Sequence, residues 1–167
     1  MRLIIFSIII LFSIITLISF IVPSHIRISK TINIKAESGN IFGYINDLNK
    51  WREWHPAFKS LPSSKIRIID SINGRSTKLK VDQTIITLLI TKTDTVEAGI
   101  LIPGKKPVIC DWFISSQPEP GVVTLHASMD LTLMWYPWEK FSSLFFEKTY
   151  GTQLEQGLNN LKALAEQ

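Results

Sequence analysis

The chain is poor in the residues that carry most chemistry. Among its 167 residues there is one cysteine, Cys110, and there are three histidines. A single thiol excludes an internal disulfide framework, a CxxC redox pair and a cysteine-rich zinc module. His25, His55 and His126 are scattered, without metal-ligand spacing, so neither a metal nor another cofactor is expected. No GxSxG, HExxH, P-loop or dinucleotide fingerprint occurs. Charge of one sign is also scarce: 18 Lys and Arg against 14 Asp and Glu leave +4, too little and too dispersed for nucleic acid. The length allows one ordinary domain with an appendage.

What the chain does have is apolar residues, and they are unevenly placed. Residues 3–22 read LIIFSIIILFSIITLISFIV, with no charge, glycine or proline. At about 1.5 Å per residue this run extends roughly 30 Å as a helix, the thickness of a bilayer's hydrocarbon core. Its polar atoms are the hydroxyls of Ser7, Ser13, Thr16 and Ser19, which can bond back to the helix's own carbonyls. Those at 13, 16 and 19 recur at helical spacing, which also suits a partner helix. A cleaved signal would be shorter and carry a small-x-small site, which Ser19-Phe20-Ile21-Val22-Pro23 does not offer. A core helix this apolar on every side would need a larger protein to bury it. The expectation is an uncleaved single-pass anchor over residues 1–22, a linker over 23–25 and a domain over 26–167. Arg27, Lys30 and Lys35 precede the first acid, against Arg2 and the α-amino group before the run, a slight bias toward a cytoplasmic domain.

Beyond the linker, Ile26, Ile28, Ile32, Ile34 and Ala36 alternate with polar residues, the period of a half-buried strand; Lys30 is the exception on the apolar face. Ile41, Phe42, Ile45 and Leu48 follow a cap-rich stretch and predict a short amphipathic helix. Trp51 and Trp54 sit three apart on a further helical turn. Strand patterns then dominate, over residues 66–68, 77–81, 84–92, 95–102, 108–115 and 123–133. Asn73-Gly74 is a strong hairpin signal because both positions tolerate positive φ. Thr93-Asp94, Pro103-Gly104 and the Pro118-Glu119-Pro120-Gly121 stretch mark the other turns. From Pro137 one long helix is predicted to the C-terminus, interrupted by Gly151 and Gly157, each costing about 1 kcal/mol relative to alanine. Close packing, a bend or space beside a cavity would explain those glycines. An α+β domain follows, an antiparallel sheet with one long helix across a face.

This order resembles the helix-grip fold of the START and pollen-allergen superfamily, also called SRPBCC or polyketide-cyclase-like. The opening strand and helix from Thr31 to Leu48, the pair in Trp51-Arg-Glu-Trp54-His-Pro, and the closing helix with Gly151, Gly157 and Leu161-Lys162 carry the resemblance. It implies a curved sheet of about seven strands around the C-terminal helix, and a cavity between them for an apolar small molecule such as a lipid or isoprenoid. Trp54, Phe58, Leu79, Ile100, Trp112, Met129 and Phe145 are the residues expected to line it. The resemblance brings no common set of catalytic positions, and none is assigned.

The residues themselves offer little for catalysis. His126 and Asp130 share a strand face but lie about 13 Å apart along it, too far for a base and its orienting partner. His55 reads as a surface or capping histidine, with a ligand bond at a pocket mouth the alternative. Cys110 reads as a small core hydrophobe, and Asp111 as facing water. Trp135-Tyr136-Pro137-Trp138 reads as core packing at the strand-to-helix corner, with a membrane interface the alternative. The expected function is a membrane-anchored binding module for an apolar small molecule. A cyclase- or hydrolase-like enzyme, needing two converging ionisable groups, and an interaction module with a filled core are the alternatives.

Overall fold

The computed structural model of the chain describes residues 2–116 and 121–167, Arg2 by its backbone alone. Helix α1 spans Arg2–Ser19. After it come strand β1 (His25–Ile34), helix α2 (Ser38–Ile45), a 3-10 turn at Leu48–Lys50, and the single-turn helices α3 (Trp51–Trp54) and α4 (Pro56–Lys59). Six strands follow: β2 (Ile66–Ile72), β3 (Arg75–Val81), β4 (Thr84–Thr91), β5 (Thr95–Leu101), β6 (Val108–Ser116) and β7 (Val123–Thr132). Helices α5 (Pro137–Ser142) and α6 (Thr152–Ala165) close the chain.

The seven strands form one antiparallel sheet in the order β1-β7-β6-β5-β4-β3-β2, so β1 and β2 are its edges. Hairpins build six of the strands in sequence. The exception is the crossover from β1 to β2, which carries α2, α3 and α4 to one end of the sheet and against α6. The β2–β3 hairpin turns at Asn73 and Gly74, with φ of 51° and 77°, as the dipeptide predicted. The expected turn at 118–121 lies, except for Gly121, outside the described residues.

Each strand's alternation sends one face inward. Cys110, Trp112 and Ile114 of β6 and Leu125 and Ala127 of β7 join Ile34, Leu79, Ile86 and Val96 in a single core with Leu154, Leu158 and Leu161 of α6. The outward face is polar where β1, β6 and β7 meet. Arg27 donates two hydrogen bonds to Asp130, at 2.9 and 2.7 Å, and lies 3.6 Å from Asp111. Asp111 does face outward as expected, but it is half-buried rather than free in water. Lys30, the cation on the apolar face, reaches past the core edge to Glu147 at 3.1 Å.

Two long elements depart from their sequence patterns. The C-terminal helix is not continuous: α5 passes into a 3-10 turn at Ser143–Phe145, then a π turn at Glu147–Gly151, before α6 begins. Periodicity alone does not register this, because a tighter and a wider turn in succession leave the apolar stripe nearly in phase. The apolar N-terminal helix stops at Ser19 rather than Val22. Phe20, Ile21 and Val22 continue the coil by bonding their N–H groups to the carbonyls of Leu17, Ile18 and Ser19. Among the described residues no helix is long and apolar enough to cross a membrane. Ser7, Ser13 and Thr16 donate to the carbonyls four residues back, and Ser19 to that of Thr16.

Candidate functional site

The region between sheet and α6 is built around Trp51. Its indole N–H donates to the Ile45 carbonyl at 2.9 Å, tying α3 to the end of α2. Trp54, one turn on, donates to the Tyr44 carbonyl at 3.3 Å, and its own carbonyl accepts from Asn160 of α6 at 2.9 Å. The bland sequence feature of two tryptophans three apart thus becomes a bracket joining α2, α3 and α6. His55 follows in an extended conformation, and its carbonyl accepts from the N–H groups of Phe58 and Lys59 to start α4.

Five rings converge there. Trp51 packs against Trp54, His55 and Phe58, each with centroids 5.7 Å away, and against Trp112 of β6 at 5.0 Å. His55 lies nearly parallel to Trp51, while Phe58 and Trp112 meet it edge-on. Such tilted and edge-to-face pairs each add about 0.5–1.5 kcal/mol beyond the area they bury.

Two nitrogens in this cluster have no partner among the described residues. The Trp112 indole N–H and His55 Nδ1 are enclosed and make no hydrogen bond. The indole can only donate, whereas the imidazole nitrogen can donate or accept according to tautomer. An unmet buried polar atom costs about 1–3 kcal/mol. Burial also holds His55 neutral, lowering its pKa from 6.5 to about 4. Cys110, on the same inward face of β6, has its thiol pushed up to about 12, chiefly by burial and secondarily by Asp111 and Asp130. A thiol in that state is not a nucleophile.

Of the seven residues expected to line a cavity, Trp54, Phe58, Leu79 and Trp112 are fully buried in one cluster, with Ile100 and Met129 packed at its margin. Phe145 is a correction. It lies in the 3-10 turn after α5 and is 67 % exposed, because the break in the helix turns it away from the sheet. The rings of Trp51, Trp54, Phe58 and Trp112 pack on one another between the sheet and α6. At Gly157 an added Cβ would come within 3.3 Å of Pro56 and 3.6 Å of the Trp54 ring; at Gly151 it would come within 3.1 Å of Glu147 and 3.4 Å of Lys30. Lys162 Nζ donates to the Asn33 carbonyl at 2.9 Å, fixing α6 to β1. His126 lies on the outward sheet face beside Thr31 and Phe113, one register position from Trp112 but on the opposite side of the sheet from the cluster.

A second feature was not assigned from the sequence. At the foot of α1, a groove of about 360 Å³ is lined by Gly104 and Lys105 of the β5–β6 loop and by Tyr136, Trp138, Glu139 and Ser142. Trp135 and Trp138 are both 64 % exposed, which corrects the expectation of core packing at this corner. The Tyr136 and Trp138 rings stack 4.9 Å apart, and Pro137 takes the buried place instead. Glu139 is held by the Met134 N–H at 3.1 Å.

No family model matches the chain, and no curated protein matches it by sequence. Solved structures do match it. A START superfamily protein from Mycobacterium smegmatis is 18 % identical with a TM-score of 0.60, over 84 % of this chain and 97 % of that one. The Zhui aromatase/cyclase from a Streptomyces species is 15 % identical with a TM-score of 0.61, over 85 % and 94 %. The di-domain ARO/CYC StfQ of the steffimycin biosynthetic pathway is 11 % identical with a TM-score of 0.60, over 85 % of this chain and 51 % of that one. At these identities the likeness is one of fold: a seven-stranded antiparallel sheet gripping a C-terminal helix, the START-like arrangement.

Proposed function

We propose that the chain is a membrane-tethered module that holds an apolar small molecule bearing a hydrogen-bond acceptor, between the sheet and α6. The observation that carries this reading is the indole N–H of Trp112, 2 % exposed and without a partner among the described residues, in a ring cluster that also holds the unpartnered Nδ1 of His55. Native interiors leave few such atoms unmet. A carbonyl or hydroxyl oxygen entering the cluster would satisfy the indole, and the surrounding rings would take the ligand's apolar body. Entry requires the Trp54 and Phe58 rings, carried by the short helices α3 and α4, to move aside. The likeness to START and aromatase/cyclase structures supports a ligand-holding fold; it does not choose the ligand.

Tethering rests on α1. Each large apolar side chain from Leu3 to Ile18 is between 36 % and 83 % exposed, although the helix meets α5. An 18-residue helix extends about 27 Å, and the turn bonds through Val22 lengthen the apolar coil toward the roughly 30 Å of a bilayer core. Arg27, Lys30 and Lys35 beyond it favour the cytoplasmic side for the domain.

Catalysis is the weaker reading. An acid–base enzyme needs two ionisable groups converging on a substrate, and among the described residues the ring cluster includes His55 alone. A filled-core interaction module is favoured by one observation, the close ring packing around Trp51. Native mass spectrometry of the gently extracted full chain separates the two. A stoichiometric apolar molecule is expected, with its retention falling about five- to tenfold in Trp112→Phe, the loss of one buried hydrogen bond. Repeated recovery of an empty chain would overturn the binding reading in favour of the filled core.

A further inference from the structure

The exposed rings at the foot of α1 have no role in the ring cluster. Trp135 and Trp138 are 64 % exposed, and Leu144 and Phe145 on the following turn are 66 % and 67 % exposed. Four large apolar side chains within eleven residues stand in water although a core lies behind them. Their neighbours on the same segment are buried: Pro137, Lys140 and Ser143 face the protein. The segment is therefore amphipathic with its apolar side turned outward.

Its position gives that side a partner. Helix α1 packs against α5, and Lys140, itself buried, donates from Nζ to the Val22 carbonyl at 2.9 Å. The exposed rings thus continue from the point where the apolar coil of residues 3–22 leaves the domain. Tryptophan and tyrosine, with an apolar ring and a single polar atom, favour the boundary between hydrocarbon and headgroups. Lys105 lines the groove with Tyr136 and Trp138, and Lys106 beside it is exposed. Glu139, the acid in that groove, is held by the Met134 N–H. An apolar patch edged by exposed cations complements an anionic lipid surface.

We propose that the face formed by Trp135, Trp138, Leu144 and Phe145, with Lys105 and Lys106 at its rim, seats the domain on the surface of a lipid bilayer. It rests on the tether reading only for its proximity to the membrane; the face would bind a bilayer even if α1 lay along the surface. Seated this way, the groove beside Trp138 opens at the lipid boundary.

The tryptophan content makes the test clean. Trp51, Trp54 and Trp112 are buried, Trp135 and Trp138 are exposed, and residues 3–22 contain no tryptophan. The full chain is reconstituted into vesicles of phosphatidylcholine with a minor fraction of phosphatidylglycerol, some carrying bromine on the acyl chains. Flotation reports the tether and bromine quenching of indole fluorescence reports the docked face. Quenching is expected, and it should vanish in Trp135→Phe with Trp138→Phe, which removes the reporters. It should fall at least severalfold in Leu144→Ser with Phe145→Ser, which keeps them, and weaken in Lys105→Glu with Lys106→Glu. Chains that float without quenching would overturn the docked face while leaving the tether intact. Quenching without firm flotation would uphold the face and overturn the tether. Undiminished quenching in the Leu144 and Phe145 variant would also overturn the face.

Discussion

His55 and Cys110 show how burial, more than any charged neighbour, sets the chemistry inside this domain. His55 titrates near 4 in the folded chain and at 6.5 when unfolded. Between those values the unfolded chain carries the extra proton, so stability present above pH 6.5 is lost as pH falls toward 4. The loss is at most about 3 kcal/mol. Urea midpoints measured across that window should slope downward toward acid, and His55→Phe should flatten the slope. Cys110, with its thiol near 12, should resist maleimide at mildly alkaline pH in the native chain and react fully in urea. Asp111 gives the opposite sign to His55. Burial, then the Asp130 charge, raise its pKa above 3.8 against the pull of Arg27. The folded state then holds that proton more firmly, so its contribution to stability declines as pH rises past 3.8. Asp111→Asn should therefore raise the thermal midpoint at neutral pH, with the gain fading in acid.

At the scale of elements, packing decides which local signals survive. Gly157 lies where α6 passes Trp54 and Pro56, and a valine there should cost about 1–3 kcal/mol through overpacking. Gly39 in α2 has open space around it, so Gly39→Ala should stabilise by about 0.5–1 kcal/mol. Thermal unfolding of the two variants checks both signs together. The strands were legible because a period of two is imposed by having one buried face, and the Asn73-Gly74 turn because few residue pairs adopt positive φ in succession. The break between α5 and α6 was not legible. Its cause is tertiary: α5 packs on α1 and answers through Lys140 to Val22 just beyond it, and α6 answers to β1 and α3 through Lys162 and Asn160. Two helices seated on different partners need an irregular join, and Gly151, for which a bend was one of three expected readings, falls at its end without specifying it. Phe145 was misplaced for that reason alone.

For the molecule as a whole, seven strands and a closing helix followed from the sequence, and solved structures of the START-like fold share that arrangement. The interior was only half legible. Alternation correctly sent Trp112 and Leu79 inward, but spacing says nothing about whether inward side chains meet or leave a hollow. Trp51, the ring on which the others pack, was visible as half of a tryptophan pair, yet its central place depends on β6 and α3 meeting across more than fifty residues. The exposed corner at Trp135 and Trp138 was read as core because an aromatic run beside a proline is ordinary in cores; only the arrival of α1 at α5 distinguishes it.

The central claim, that the interior accepts a molecule whose oxygen meets Trp112, is tested most directly by the indole N–H resonances of the full chain before and after apolar molecules are stripped from it. Trp51, bonded to the Ile45 carbonyl, serves as the internal reference. The expected result is that the Trp112 signal shifts upfield relative to that of Trp51 on stripping and returns when the extract is added back. A Trp112 signal identical in both preparations would contradict the claim.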